Sequence, residues 1–260
     1  MSLKLAIGGK GGVGKTTITS LIARSIAALN KETKVIAIDA DPVANLAAGL
    51  GIDESTPITP VSELSDLIAE RTGATPGTMG GFFTLNPKVD DIPDRFSLEK
   101  DGVKLLVMGT VQQGGSGCIC PEATILKALM NHLVLARNEV VVMDMEAGVE
   151  HLGRATSGSV DALIVVVNPG KRSRVAADKI RKLGRDIGIK NVVVLANRVR
   201  NKEDEKLIQD SMPDYEILGF IPEMDEISGA DRDGTRPFDD ITQIPEALKE
   251  VTKKLIKLGA

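Results

Sequence analysis

The chain has 260 residues, a net charge of −4, 42% hydrophobic and 26% charged residues, five Phe, one Tyr and no Trp. This length and balance describe one large α/β domain over residues 1–260, too short for two full domains and a linker. The acidic balance and scarce aromatic rings exclude a general nucleic-acid binder, and no run approaches the roughly 18 apolar residues of a membrane span.

Leu3-Lys4-Leu5-Ala6-Ile7 opens a strand predicted over 3–8, which leaves no room for a signal peptide. Gly8-Gly9-Lys10-Gly11-Gly12-Val13-Gly14-Lys15-Thr16-Thr17 follows directly. A helix predicted over 15–29 then carries Ile18, Leu21, Ile22, Ile26 and Leu29 on one face. Strand, glycine-rich loop and helix in this order form a phosphate-binding loop: successive backbone N–H groups face inward, and the helix points its positive end at the same place. Residues Gly9 to Thr17 are therefore assigned to a nucleotide. Lys15 reaches the β- and γ-phosphates, and the Thr16 hydroxyl completes the shell of a Mg²⁺ ion. Lys10 is an extra lysine that cannot easily fold back onto phosphates its own loop surrounds, which points to a task in trans.

The second strand, over 34–39, closes on Ile38-Asp39-Ala40-Asp41-Pro42. Asp41 is assigned to orienting or activating the attacking water, with Asp39 supporting the metal shell; the plainer reading of such acids is helix capping. A helix is predicted over 60–70. Residues 72–101 break the rhythm with Gly73, Pro76, Gly77, Gly80, Gly81, Pro87 and Pro93, and read as a mobile excursion or small hairpin containing a strand over 82–86. A strand over 103–108 follows.

Gly114-Gly115-Ser116-Gly117-Cys118-Ile119-Cys120-Pro121-Glu122 is a glycine-rich loop entering a helix over 121–136. A thiol just before a helix N-terminus ionises readily and favours soft metals. Cys118 and Cys120 are the chain's two cysteines and supply half of a tetrahedral shell. Either His132 or His151 completes such a site, or a second copy of the loop does, giving four thiolates across a symmetric dimer. Idle surface thiols and a strained redox disulfide are the competing readings. Two cysteines in a chain without a secretory signal fit a reducing cytoplasm.

A strand over 139–144 ends in Asp144-Met145-Glu146-Ala147-Gly148. Asp144 is assigned to the water shell of the metal, and Gly148 to a backbone N–H that turns toward a γ-phosphate. Strands over 162–167, 191–196 and 216–221 alternate with helices over 172–187, 203–211 and 245–258. Val140-Val141-Val142-Met143, Leu163-Ile164-Val165-Val166-Val167 and Val192-Val193-Val194-Leu195 are apolar throughout, as in parallel strands buried on both faces. The fold class is thus α/β, a doubly wound, mostly parallel sheet with its ligand at the carboxyl ends. Asn197, after the 191–196 strand, offers a donor and an acceptor that match the edge of adenine. Arg200 stands three residues on, where a guanine reader would more plausibly place Asp; ATP is favoured. Arg198 joins the same nucleotide segment, and Pro222 is placed alongside the base.

Lys10-Gly11-Gly12-Val13-Gly14-Lys15-Thr16, with the acids at Asp39–Asp41 and Asp144–Gly148, resembles the deviant phosphate loop and two switch segments of the MinD, ParA and nitrogenase iron-protein class of dimeric ATPases. Cys118-Ile119-Cys120, the segment 144–152 and Asn197-Arg198-Val199-Arg200-Asn201 are similar to the CooC-type nickel-insertion ATPases, which serve carbon monoxide dehydrogenase or acetyl-CoA synthase. The resemblance implies ATP hydrolysis in a homodimer, Lys10 reaching the partner's ATP, and Ni²⁺ or Zn²⁺ held between subunits by the thiol pairs. It implies neither nucleic acid nor membrane as partner. A MinD- or ParA-like spatial organiser is the alternative, motivated by an amphipathic C-terminal stripe of Ile244, Ala247, Leu248, Val251, Leu255 and Leu258. An iron–sulfur reductase is disfavoured because the second switch segment has no cysteine.

Overall fold

A computed structural model describes residues 2–29, 31–41, 45–74, 83–110, 120–135, 139–145 and 160–258. The first half runs β1 (Leu3–Gly9), α1 (Lys15–Leu29), β2 (Val35–Asp39), α2 (Leu46–Leu50), α3 (Ser65–Thr72), α4 (Ile92–Phe96), β3 (Leu98–Lys100) and β4 (Val103–Val107). The second half runs α5 (Pro121–Leu135), β5 (Val140–Asp144), β6 (Ala162–Val167), α6 (Lys171–Ile187), β7 (Val192–Val199), α7 (Lys202–Ser211), β8 (Glu216–Pro222), α8 (Asp225–Asp233) and α9 (Glu246–Leu258). The strands form one sheet in the order β3-β4-β2-β5-β1-β6-β7-β8. Every pairing is parallel except β3 with β4.

Helices cover both faces, which is why the central strands carry no polar alternation. Ile38, Val141, Met143, Val165 and Val194 point to the side packed by α5 and α6, where Ile125, Leu129, Ala177 and Ile180 meet them. Leu5, Ile7, Ala37, Val142, Ile164 and Leu195 point the other way, toward Ile18, Leu21 and Ile22 of α1 and Leu248, Val251 and Leu255 of α9. Most of the C-terminal amphipathic stripe therefore packs into the core, with Ile244, Leu248, Val251 and Leu255 buried and Leu258 exposed at its end. Among the described residues no helix is long and apolar enough to cross a membrane.

Three sequence expectations differ from the structure on the β4 side of the sheet. Residues 83–86 are not a strand: the Thr84 N–H bonds the Thr72 carbonyl at 2.8 Å, and Leu85 is exposed. The sheet's edge is instead β3, a short strand with Glu99 and Lys100 exposed, too polar to register as a buried run. It turns into β4 through Asp101-Gly102, both at positive φ (50° and 79°), the backbone that an Asp-Gly hairpin turn requires. The described part of the turn-rich excursion also joins the body, since Val89 and Ile92 are core residues and Arg71 on α3 pairs with Asp91 at 2.8 Å. The helix predicted over 60–70 is a 3-10 turn at Val61–Glu63 followed by α3.

Candidate functional site

β1 lies between β5 and β6, at the centre of the sheet, and the strands are level at their carboxyl ends. Asp144 stands opposite Ile7 on one side and Asp39 on the other. The two acids thus meet under the loop that leaves β1. Gly9, Gly12 and Gly14 hold φ of 154°, 80° and 92° in that loop. Two of them are also closely approached: a Cβ on Gly9 would lie 2.6 Å from the Val166 carbonyl oxygen, and one on Gly14 would lie 2.5 Å from Asn197 Nδ2. Val13 is buried and anchors the loop, while Gly11 and Gly12 are exposed at its crest. The Ile18 N–H bonds the Gly14 carbonyl at 3.0 Å, so α1 starts at once and aims its free N–H groups into the curl.

Lys15 is buried at the base of this cradle, Thr16 and Thr17 are half-buried, and Lys10 is exposed on the outside. Lys15 is thus enclosed by the loop, and Lys10 faces solvent.

Asp144 is fully buried, and its Oδ2 has no hydrogen-bond partner among the described residues. Its other contacts come from α1: the Thr16 hydroxyl bonds it, and Thr19 Oγ1 lies 3.4 Å from Oδ1. Burial pushes its pKa up to about 7; the Thr16 hydrogen bond and Lys15 oppose the rise, and Asp39 adds to it. Asp39 is pushed up to about 6, again chiefly by burial, against the N–H groups of Leu46 (2.9 Å) and Asp41 (3.2 Å). Asp39 thus also caps the start of α2, as the plainer reading held, while facing Asp144. An orphaned carboxylate oxygen beside a threonine hydroxyl is a hard-oxygen donor set, which fits Mg²⁺. Asp41 is half-buried at the mouth of the site.

Asn197 is buried, and its Nδ2 donates to the Val13 carbonyl at 2.8 Å. The amide therefore ties β7 to the phosphate loop, a task its sequence position did not suggest, and keeps Oδ1 as an acceptor. Arg198 follows at φ 57°, and Pro222 lies opposite Val199 at the exposed end of β8. Thr19 was also missed, although it stands one helical turn after Lys15 and so faces the same acid.

Cys120 is half-buried and precedes α5. Its sulfur accepts the Ala123 N–H at 3.4 Å, and its carbonyl accepts from the Thr124 N–H and hydroxyl, each at 3.0 Å. This N-capping geometry stabilises a thiolate. His132 lies on α5 twelve residues further, about 18 Å along the axis at ~1.5 Å per residue, so it does not complete a site with Cys120 of the same chain. Cys118, Gly148 and His151 lie outside the described residues. Among those described, no group of three or more His, Cys, Asp or Glu side chains is placed to hold a metal.

The model of the CobQ/CobB/MinD/ParA nucleotide-binding domain matches residues 4–238. The chain belongs to this family. It is a P-loop ATPase of the MinD/ParA class. The carbon monoxide dehydrogenase accessory protein CooC of Rhodospirillum rubrum is 44% identical over 239 residues, covering 91% of this chain and 90% of that one. An uncharacterised ATP-binding protein of Methanocaldococcus jannaschii is 43% identical over 259 residues, covering 98% of each. Among solved structures, MinD in the MinC:MinD cell division complex of Aquifex aeolicus superposes with a TM-score of 0.71 at 21% identity, covering 99% of this chain and 96% of that one. The MinD/ParA likeness accounts for the doubly wound sheet, and the CooC-type ATPases are the branch of the family that this sequence matches at higher identity.

Proposed function

We propose that residues 1–260 act as one ATPase domain that dimerises around ATP and carries Ni²⁺ or Zn²⁺ between two copies, delivering nickel to carbon monoxide dehydrogenase or acetyl-CoA synthase in the cytoplasm. The observation that carries this reading is Cys120 at the positive end of α5, its sulfur hydrogen-bonded by the Ala123 N–H, in a chain so similar to a carbon monoxide dehydrogenase accessory protein. With Cys118 it supplies two thiolates, and a symmetric partner supplies the other two.

Each residue of the nucleotide site has a task in this reading. The loop Gly9–Thr17 wraps the phosphates, Lys15 neutralises them, and Asn197, with Arg198 and Pro222 near it, receives the adenine. Bound Mg²⁺ supplies charge neutralisation at the β- and γ-phosphates. Thr16 and Asp144 would hold it, with Asp39 behind them. Asp41 orients the attacking water, and Gly148 offers its N–H to the γ-phosphate. Lys10 crosses to the second copy's triphosphate and stabilises charge there, as an arginine finger does. Hydrolysis removes that bridge, opens the dimer and loosens the shared thiolates.

Gel filtration with Ni²⁺ or ATP, comparing wild type with Cys118→Ala/Cys120→Ala, tests the coupling. The expected result is metal-dependent dimer in the wild type alone, with one Ni²⁺ per two chains. Nickel uptake that survives loss of both thiols refutes it.

A further inference from the structure

One surface of the molecule has a charge opposite to the rest. α6 carries seven lysines and arginines against Asp178 and Asp186, a local charge of +5 in a chain of net −4, so all other residues together carry −9. The side chains of Lys171, Arg172, Lys179, Lys182 and Arg185 are exposed and make no ion pair or hydrogen bond among the described residues. Two are exceptions: Arg174 is half-buried, and Arg181 donates to the Asp214 carbonyl at 2.9 Å and lies over the Tyr215 ring. Val175 and Leu183 stand between the free cations, 49% and 45% exposed.

The first half of the helix gains nothing locally from this pattern. Its first turn has no acid and three cations, Lys171, Arg172 and Arg174, at the positive end of the helix dipole, and Lys179 and Lys182 are like charges one turn apart. The inner face (Ser173, Ala177, Ile180, Gly184) already meets the requirements of packing. The outer face also borders the phosphate loop, because Lys10 and Gly11 share a cleft of about 360 Å³ with Asn168, Lys171, Arg172 and Ser173.

We propose that the outer face of α6 is the docking surface for an acidic face of a partner protein, which on the reading above is the nickel enzyme receiving the metal. Interleaved aliphatic side chains fit a protein surface, where a cationic rim steers approach and apolar contacts hold it. Duplex nucleic acid would meet −9 on the remainder of the chain, and the Tyr215 ring beside this helix is already engaged by Arg181 and Asp178. Two exposed aliphatic side chains offer little grip on a lipid surface.

The test uses the full chain with Mg·ATP and biolayer interferometry against three probes: nickel-free carbon monoxide dehydrogenase, a 20-base-pair DNA duplex, and phosphatidylglycerol vesicles. Wild type is compared with Lys179→Glu/Lys182→Glu, whose ATP turnover should be unchanged. The expected result is binding to the enzyme that weakens as salt rises and falls about tenfold or more in the variant. Equal binding of the enzyme by both forms overturns the docking surface and leaves the delivery reading standing. Binding by neither form removes that client and this docking surface together. Charge-dependent capture of DNA or vesicles in place of the enzyme overturns the proposal in favour of that partner.

Discussion

Replacing Asp144 by Asn removes a buried charge and should make the nucleotide-free protein more stable at neutral pH while abolishing most of its turnover. The magnitude follows from the pKa. Asp144 is raised from 3.8 to about 7, and each unit corresponds to ~1.4 kcal/mol, so ionised Asp144 opposes folding by up to about 4 kcal/mol. A folded-state pKa above the unfolded value means the carboxyl's stabilising contribution is complete below pH 4 and is lost as pH rises through 7. Asp39, raised to about 6, acts in the same direction and is coupled to it, so the two contributions are not additive. Urea denaturation of wild type and Asp144→Asn without metal or nucleotide, at intervals from pH 4 to pH 8, measures the difference directly. The variant should match the wild type near pH 4 and gain progressively to about 3–4 kcal/mol by pH 8. Its ATP turnover should drop about 10–100-fold, as expected when a group supporting a metal is lost. A stability difference that is the same at both pH extremes, or a variant less stable at pH 8, would refute burial of an ionisable Asp144 as the cause.

Other substitutions probe the loop and its surroundings. Gly14→Ala forces a Cβ into positive φ and toward Asn197 Nδ2, and should cost about 1–3 kcal/mol in thermal or urea unfolding together with ATP affinity. Asn197→Asp turns the donor facing the Val13 carbonyl into an oxygen; isothermal titration should find affinity for both ATP and inorganic tripolyphosphate reduced about tenfold. Loss for ATP alone would mean that the residue only reads the base. Lys10→Ala should retain ATP binding within about threefold while phosphate release falls about 10³-fold, the effect of losing a cation supplied in trans; unchanged release would exclude that role.

Much of the fold was legible because the strongest signals are local. Uninterrupted apolar runs at 140–143, 163–167 and 192–195 follow from burial on both sheet faces, and α1 begins where Gly14 and Lys15 set it. The phosphate loop could be read because its glycines answer to backbone geometry that only such a sequence satisfies. β3 escaped notice because three partly exposed residues at a sheet edge leave no apolar run, although the Asp101-Gly102 turn marked the hairpin. What the tertiary structure alone decided is pairing across distance. Strand order brings Asp39 and Asp144 into register under the loop, and burial raises both pKa values. Chain reversal places Asn197 against Val13, 184 residues earlier. The packing of α6 leaves one cationic face outward. None of these depends on a residue's own neighbours in sequence; each arises when the sheet closes and removes water from particular groups.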